Sequence, residues 1–290
     1  MKILVVGATG YIGAVVADRL AEAGHEVVEL SRSGDGSQRG RVRRAGDLTD
    51  PSSLSAAVTA DIDAVVNLAT PTGDAEADAA AVAALTEPLR GTGRAFVYTS
   101  GVWVLGATGP EPAGEDTPTN PIPIVGYRPA IERQVIDAAA QGVRSVVIRP
   151  GIVHGRGGGI PALLVDLARK HGAPRYVGED AVRWPMVHVD DLADLFVVAL
   201  ERAPAGTLWH GVTEPAVSVP DLAAAAGDAA GVPGRPQAWP LDEAREALGE
   251  AFADALALDQ SVSGDAARRE LGWQPRHEDA VAELRAGSAN

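Results

Sequence analysis

Short apolar blocks alternate with amphipathic stretches through the first half of the chain. A short apolar run bounded by turn residues is typical of a buried strand, and apolar residues at helical spacing are typical of an amphipathic helix. The predicted strands cover residues 3–6, 27–30, 41–45, 64–67, 95–99 and 145–149. The predicted helices cover 14–23, 75–85 and 129–140, and a further helix starts at Pro51 with Asp50 as its cap. Repeated strand–helix units predict a parallel, doubly wound α/β sheet with right-handed crossovers.

A glycine-rich turn joins the first predicted strand to the first predicted helix. Its spacing is Gly-x-x-Gly-x-x-Gly, with glycines at Gly7, Gly10 and Gly13. Gly7 allows a sharp turn, Gly10 lets backbone approach a pyrophosphate, and Gly13 lets the helix pack closely on the strand. The free N–H groups at the start of the helix then provide an anion site. A tight turn without a ligand is the alternative, but this context favours a dinucleotide-binding loop made of Gly7, Thr9, Gly10, Tyr11, Ile12 and Gly13.

The second half of the chain is less regular. Helices are predicted at 161–170, 191–201, 219–230 and 241–256, and short strands at 175–177 and 208–210. This arrangement predicts a smaller lobe over the carboxyl ends of the strands, where ligands of such sheets bind. We therefore expect a dinucleotide-binding Rossmann domain at 1–150, with a contribution from 186–212, and an interleaved substrate-binding lobe at 151–290.

Composition narrows the class of protein. The chain has 290 residues, of which 46% are hydrophobic, and it has no cysteine, so disulfides and thiolate chemistry are excluded. A net charge of −14 argues against nucleic acid or an anionic membrane surface as a partner. No apolar run reaches membrane-spanning length, and Met1 leads directly into the first predicted strand. We expect a cytoplasmic protein, monomeric or homodimeric, that acts on a small molecule.

The residues after the second predicted strand distinguish two coenzymes. Enzymes that use NAD place an acidic residue there, which accepts hydrogen bonds from the ribose 2′-OH. This chain has Ser31 and Arg32 at that position and no carboxylate. Arg32 can pair bidentately with a 2′-phosphate, and Arg39 or Arg41 can add charge. The sequence therefore favours NADP (NADPH) over NAD, and a solvated surface arginine is the alternative interpretation of Arg32.

Further motifs follow the predicted strands in a fixed order. They are the glycine loop, Gly46-Asp47-Leu48, Asn67-Leu68-Ala69, Tyr98-Thr99-Ser100-Gly101, Arg149-Pro150-Gly151, Val187-His188-Val189-Asp190-Asp191 and Glu270-Leu271-Gly272-Trp273-Gln274-Pro275. On these segments the chain resembles the extended and atypical branch of the short-chain dehydrogenase/reductase superfamily, whose members are NAD(P)-dependent and epimerase/dehydratase-like. The resemblance covers nearly the whole chain.

The resemblance implies positions for the coenzyme. Asp47 and Leu48 would contact the adenine, and Leu68 and Ala69 would line the cofactor cleft. Arg128 would hold the ribose hydroxyls. The residues beside the nicotinamide would lie at the strand ends; they are Thr99, Pro150, Gly151 and Ile152.

The catalytic residues depart from the pattern of that superfamily. Its proton donor is a tyrosine four residues before a lysine, because an adjacent cation lowers the pKa of the phenol. Here Tyr127 is followed four residues later by Ile131. If Arg128 takes the lysine position instead, the tyrosine position falls on Ile124. The serine position of the family, on the strand at 95–99, falls on Gly101, directly after Thr99 and Ser100. We predict Ser100, Tyr127 and Arg128 as the catalytic set, while packing at the entrance of a helix is the alternative role of Tyr127.

Other side chains are candidates for the substrate pocket. His154 precedes a glycine run and is either a substrate contact or general acid, or part of a hinge between lobes. Trp184 is predicted on the pocket wall, whereas His188 is predicted to be a satisfied core histidine. Asp190 and Asp191 open a predicted helix, so they are interpreted as capping residues. No metal site is predicted, and the predicted substrate contacts are Thr70, Gly101, Trp103, His154 and Trp184.

The sequence therefore predicts an NADP(H)-dependent oxidoreductase that acts on a small carbonyl or hydroxyl compound. Two alternatives stay open. The incomplete Tyr/Lys pair is compatible with a non-redox epimerase, dehydratase or cyclase on the same fold, and the coenzyme loop alone is compatible with an NADP-binding sensor protein.

Overall fold

The computed structural model describes residues 1–32, 40–179 and 181–287, together with the backbone of 36–38. Its centre is one eight-stranded sheet, with elements numbered here in chain order. The strands are β1 (Lys2–Val6), β2 (Glu26–Ser31), β3 (Gly36–Gln38), β4 (Arg41–Ala45), β5 (Ala64–Asn67), β6 (Ala95–Thr99), β7 (Arg144–Pro150) and β11 (Thr207–Gly211). Their spatial order is β11-β7-β6-β5-β1-β2-β4-β3, and every neighbouring pair is parallel except β3 with β4.

Helices cover both faces of this sheet because its central strands are apolar on both sides. Ile3 and Val5 face a core shared with α1 (Tyr11–Glu22) and α6 (Val189–Arg202). Leu4 and Val6 face the opposite core, which is covered by α2 (Pro51–Ala57), α3 (Ala75–Thr86) and α4 (Arg128–Asp137). Alternation along β1 therefore supplies both cores, as is typical of a buried parallel strand. The fold is an α/β, doubly wound Rossmann sheet, as predicted.

A smaller lobe is built from most of the remaining chain. One sheet has the order β12-β10-β8, and a two-stranded sheet pairs β13 with β9; the strands are β8 (Ile152–His154), β9 (Arg175–Val177), β10 (Arg183–His188), β12 (Glu214–Ser218) and β13 (Gln237–Trp239). The lobe also contains α5 (Ile160–His171), α7 (Val219–Ala229), α8 (Leu241–Leu248), α9 (Glu250–Leu256) and α10 (Ala280–Ala286). Between its strands the chain returns to the central sheet through α6 and β11, so the two parts are interleaved.

Several elements differ from the sequence predictions. The loop predicted at 34–40 contains the short strand β3, although residues 33–35 and 39 lie outside the described residues. The helix predicted at 241–256 is two helices, because Gly249 has a φ of 89° that interrupts the helical backbone. Four short strands of the smaller lobe were not predicted; they are β8, β10, β12 and β13. The Asp50 cap is confirmed, since its carboxylate accepts hydrogen bonds from the N–H groups of Ser52 and Ser53.

None of the helices in the described part of the chain combines the length and the apolar run that a membrane crossing requires.

Candidate functional site

The glycine loop lies between β1 and α1 at the carboxyl edge of the central sheet. Gly7 has a φ of 84°, and a Cβ there would lie 2.6 Å from the backbone nitrogen of Ala69. A Cβ on Gly13 would lie 2.0 Å from the carbonyl oxygen of Gly7, so only glycine allows α1 to start this close to the turn. Gly10 is different, because its Cβ would contact only the Gly7 oxygen, at 3.4 Å. No side chain of the described residues caps α1, which begins after Gly10, so its first N–H groups are available to an anion.

A cleft of about 480 Å³ opens in front of this loop, where β1, β2, β4 and β5 end. Ten of the predicted coenzyme and substrate residues line it: Gly7, Thr9, Gly10, Ser31, Arg32, Asp47, Leu48, Leu68, Ala69 and Thr70. The structure therefore brings together, in one cleft, motifs that follow four different strands. We call this space the polar cleft.

The charges at the polar cleft include one that the sequence analysis did not assign. Arg43 lines the cleft with Arg32, and its Nε lies 3.6 Å from Glu29. Arg41, predicted as a possible second cation, instead pairs with Asp18 and with Glu29, whereas Arg39 lies outside the described residues. Side-chain alternation along β4 puts Arg41 and Arg43 on the same face of the strand, so the sequence offers both as candidates for the cleft. The pairing register of β4 with its neighbours decides which of them reaches it.

Asp47 also lines the polar cleft, and its carboxylate is held in place. It accepts hydrogen bonds from the backbone N–H of Thr49, at 2.9 Å, and from the Thr49 hydroxyl, at 2.8 Å. These bonds hold the pKa of Asp47 below its ordinary value. The carboxylate therefore stays charged and is an available hydrogen-bond acceptor for a ligand in the cleft.

A second cavity, of about 520 Å³, lies beyond the ends of β6 and β7, and Thr70 lines both spaces. We call it the apolar cavity. The predicted residues on its wall are Tyr11, Ile12, Thr70, Thr99, Ser100, Gly101, Trp103, Tyr127, Arg128, Pro150, Gly151 and Ile152. Wall residues that the sequence analysis did not assign to the site include Pro71, Val102, Ile124, Val125, Val153 and Ile160. Most of them are aliphatic, so hydrophobic residues and a few polar groups form the wall together, as is typical of a small-molecule site.

The polar side of the apolar cavity is formed around Arg128. Arg128 is 7% exposed. Its guanidinium donates a hydrogen bond to the carbonyl oxygen of Thr99 and lies over the ring of Tyr98, 5.4 Å from the ring centroid. Among the described residues, the Nε of Arg128 has no hydrogen-bond partner, and the same holds for the buried hydroxyls of Thr99 and Ser100. Buried polar groups are normally paired. These three unpaired groups on one wall therefore indicate a ligand that pairs with them.

Comparison with known proteins decides the family. The sequence profile of the NAD dependent epimerase/dehydratase family matches residues 3–209. The chain belongs to this family. An uncharacterized protein of Schizosaccharomyces pombe is 33% identical over 297 residues, which cover 98% of each chain. The 3-diazoavenalumate denitrifying reductase of a Streptomyces species is 30% identical over 300 residues, covering 96% of this chain and 97% of that protein.

Solved structures share the fold over the full length. The crystal structure of the human epimerase family protein SDR39U1 with NADPH matches with a TM-score of 0.76 at 23% identity, and the match covers 100% of both chains. The polar features described above fit the dinucleotide of this epimerase/dehydratase family. Gly10 leaves an open cradle beside an uncapped helix start, and unpaired polar atoms line the adjoining cavity.

Tyr127 has a partner that the family pattern does not suggest. Its hydroxyl donates a hydrogen bond to Asp78 Oδ2, at 2.6 Å. Asp78 is buried in α3 and also accepts hydrogen bonds from the N–H and the hydroxyl of Thr72. Burial of the Tyr127 phenol and its bond to Asp78 raise its pKa to about 12, the opposite of what the predicted catalytic role needs. Tyr127 thus lines the cavity and also fastens the start of α4 to α3.

The alternative alignment places the tyrosine of the family at Ile124. This residue lies on the wall of the apolar cavity and is 38% exposed. The position is therefore inside the site, but it carries an alkyl side chain. Neither alignment brings a free phenol to Arg128.

A buried ion pair supports the wall of the apolar cavity. Glu132, one turn after Arg128 in α4, accepts two hydrogen bonds from Arg149 in β7, with distances of 2.9 and 2.6 Å. Both side chains are at most 5% exposed. The pair fixes the start of α4 against the end of β7, where Pro150 follows. The sequence analysis did not predict it, because the two residues are 17 positions apart on different elements.

Two predicted substrate contacts lie elsewhere. Trp184 is 2% exposed in the core of the smaller lobe, where its indole N–H donates to the carbonyl oxygen of Leu256. It is not among the residues that line the apolar cavity, because the register of β10 turns its side chain toward α9. His154 is also buried, and it lines a separate cavity beside α10. Its Nδ1 lies 3.4 Å from Oε2 of Glu283. Burial lowers the pKa of His154 to about 4, so it is neutral at pH 7.

The neighbours of His154 form a cluster at the base of α6. His188 is a satisfied core histidine, as predicted: its Nδ1 accepts the N–H of Asp190, and its Nε2 lies 2.9 Å from Glu283. His188 itself caps α6, which corrects the predicted capping role of Asp190 and Asp191. The ligand atoms of His188, Asp190 and His277 lie within 4.8 Å of one another, a grouping that was not predicted.

Proposed function

We propose that the protein is an NADP(H)-dependent oxidoreductase that acts on a small carbonyl or hydroxyl compound. The observation that carries the proposal is the pair of adjoining spaces that share Thr70. One contains the glycine loop and two arginines, and the other is apolar with unpaired polar atoms on one wall. The nicotinamide coenzyme, when bound, supplies or accepts the hydride. Two relatives with reductase names, one of them the 3-diazoavenalumate denitrifying reductase, support a redox reaction.

The residues of the polar cleft would hold the coenzyme. The N–H groups at the start of α1 would bind the diphosphate, and Asp47 and Leu48 would contact the adenosine. Arg32 and Arg43 would bind a 2′-phosphate, since two guanidiniums there favour a dianionic group over a hydroxyl. The structural neighbours include complexes with NADPH and with NAD, so the preference rests on the two arginines of this chain.

The preference predicts the effect of Arg32→Ser. A charge-assisted hydrogen bond contributes about 1.5–3 kcal/mol, so the affinity for NADPH should fall by about tenfold to a hundredfold while the affinity for NADH changes little. Isothermal titration calorimetry with both coenzymes measures this. Arg235→Ser, at an exposed arginine of the smaller lobe, is the matched control and should leave both affinities unchanged. An equal loss for NADPH and NADH would show that Arg32 does not recognise the 2′-phosphate.

The apolar cavity would hold the substrate. Aliphatic side chains of Ile152, Ile160 and Val125 suit a small apolar body, whereas Ser100 and Arg128 would contact its reacting oxygen. The Ser100 hydroxyl can donate one hydrogen bond and the Arg128 guanidinium can donate several. Arg128 has enough donors to contact a ribose hydroxyl as well.

The test is the loss of NADPH absorbance with a panel of aldehydes, ketones and conjugated carbonyl compounds. We expect turnover with at least one of them and a product that gains two hydrogens. Product without net loss of NADPH would favour the non-redox alternative. Tightly bound NADPH that no compound of the panel oxidises would contradict an oxidoreductase.

A further inference from the structure

The apolar cavity contains few side chains that can give up a proton. Of the described residues that line it, only Tyr11, Tyr127 and Arg128 are titratable. Tyr11 donates its hydroxyl proton to the carbonyl oxygen of Gly155, at 2.7 Å, and burial raises its pKa. Tyr127 donates its proton to Asp78. Both phenol protons are therefore engaged by acceptors of the protein rather than free for a substrate.

The hydroxyls at the end of β6 do not replace a proton donor. Thr99 and Ser100 have buried, unpaired hydroxyls that can donate hydrogen bonds to a ligand. A serine or threonine hydroxyl keeps its proton near neutral pH, so it polarises an oxygen without protonating it. Ile124, where the alternative alignment places the family's tyrosine, contributes only alkyl surface.

Arg128 gives the cavity a fixed positive charge instead. An arginine keeps its charge throughout the pH range in which proteins fold, and a charge in a desolvated site interacts more strongly than in water. The nearby carboxylates have other partners: Asp78 accepts from Tyr127 and Thr72, and Glu132 accepts from Arg149. Within the described part of the chain, no ion pair neutralises Arg128 directly. The cavity is thus built to stabilise a negative charge rather than to deliver a proton.

We propose that the substrates are carbonyl compounds with a conjugated C=C bond, and that Arg128 stabilises the enolate oxygen formed when that bond is reduced. This rests on the proposed function. Hydride from the reduced nicotinamide adds to the β-carbon, and the C=C electron pair shifts to form a bond between the α-carbon and the carbonyl carbon. The carbonyl oxygen takes the negative charge beside Arg128 and Ser100. A proton from water then adds to the α-carbon, so the product gains two electrons and two hydrogens in all.

The apolar cavity holds a fixed cation and a hydroxyl donor but, among the described residues, no free acid, and this combination favours the proposed substrate class. Reduction of an isolated ketone leaves a localised alkoxide, which is strongly basic and needs an acid at hand in the transition state. An enolate spreads its charge over carbon and oxygen, so a fixed cation and a hydroxyl donor are enough to stabilise it. Flat conjugated compounds also match an aliphatic wall with one polar side.

A binding experiment tests the role of Arg128 without turnover. The probe is para-nitrophenol, whose ionised form is a flat, delocalised oxyanion with its own absorption band. With NADP-saturated protein, we expect the phenolate to bind at least about tenfold more tightly than the phenol, seen as a lower apparent pKa of the bound probe. Arg128→Gln should remove this preference, Arg128→Lys should retain part of it, and Arg133→Gln, on the exposed face of the same helix, should leave it unchanged.

Circular dichroism reports whether Arg128→Gln folds. If this variant does not fold, the phenolate preference of the wild-type protein still tests the proposal. No preference for the phenolate in the wild-type protein would overturn the proposal. A phenolate preference that persists in folded Arg128→Gln would overturn it as well. Arg128→Gln that loses only coenzyme affinity would assign Arg128 to the ribose alone.

A matched substrate pair tests the reaction. Benzalacetone and benzylacetone share one skeleton, and only the first has a C=C bond conjugated to the ketone. We expect NADPH loss with benzalacetone alone, and benzylacetone as the product. Deuterium at the hydride position of NADPH should appear on the β-carbon, and deuterium from D₂O on the α-carbon.

An alcohol product, or reduction of benzylacetone at a similar rate, would overturn the substrate class while leaving the proposed oxidoreductase intact. Failure of NADPH to bind would contradict the proposed function itself.

Discussion

Gly13→Ala is expected to weaken coenzyme binding by about a hundredfold or more, because the diphosphate loses charge-assisted hydrogen bonds that contribute about 1.5–3 kcal/mol each. The added Cβ would lie 2.0 Å from the Gly7 carbonyl oxygen and 2.8 Å from the Gly7 carbonyl carbon. Both are backbone atoms, so no side chain can rotate away. The start of α1 must move away from the turn, and the N–H groups that would bind the diphosphate move with it. Calorimetric titration with NADPH measures the loss.

Gly109→Ala is the matched control, since a Cβ at Gly109 would have no atom within 4 Å. It should bind NADPH as the wild-type protein does. Gly10→Ala is informative too, because its Cβ has room in the protein and would occupy only the cradle. It should fold normally and still bind NADPH less well. Gly13→Ala with full affinity would exclude the glycine loop as the diphosphate site.

Glu132→Ala should destabilise the whole protein, since it leaves the guanidinium of Arg149 buried without its partner. Removing one member of a buried ion pair costs about 3–5 kcal/mol. For a chain of 290 residues, that corresponds to a melting temperature lower by roughly 5–8 °C. Thermal unfolding followed by circular dichroism measures the change. Because Glu132 and Arg149 join α4 to β7, the affinity for NADPH should fall as well.

Two comparisons isolate the buried charge as the cause. Asp166→Ala removes an ion pair with Arg169 whose members are 73% and 57% exposed, so the stability should change by less than about 1 kcal/mol. The double variant Glu132→Leu with Arg149→Met removes both charges and should recover most of the lost stability. If Glu132→Ala unfolds at the wild-type temperature, the pair does not hold the two elements together.

The sheet could be predicted from the sequence because its signals are local. The strands at 41–45, 64–67 and 95–99 have the bounds that the apolar pattern predicted. The helix cap at Asp50 and Pro51 depends on adjacent residues, and the glycine loop depends on seven consecutive residues. The predicted coenzyme residues after each strand meet because parallel strands end at one edge. Most of the polar cleft was therefore predictable without coordinates.

The remaining features depend on pairings between distant residues. Tyr127 was a candidate with two roles, and its bond to Asp78, 49 positions away, decides what its proton does. Trp184 is an aromatic residue of the kind that often lines a pocket, but the register of β10 directs its side chain into the core of the smaller lobe. The short strands of the smaller lobe have few residues each and pair across long separations, so no local pattern marks them. The chemistry of the apolar cavity was thus the least predictable part.

Calorimetric titration of the wild-type protein with NADPH and with NADH tests the central claim most directly. That claim is that the glycine loop and the polar cleft hold a dinucleotide with a 2′-phosphate. We predict a single class of site for NADPH and at least about tenfold weaker binding of NADH. The absence of heat with either coenzyme, or equal binding of both, would contradict the claim.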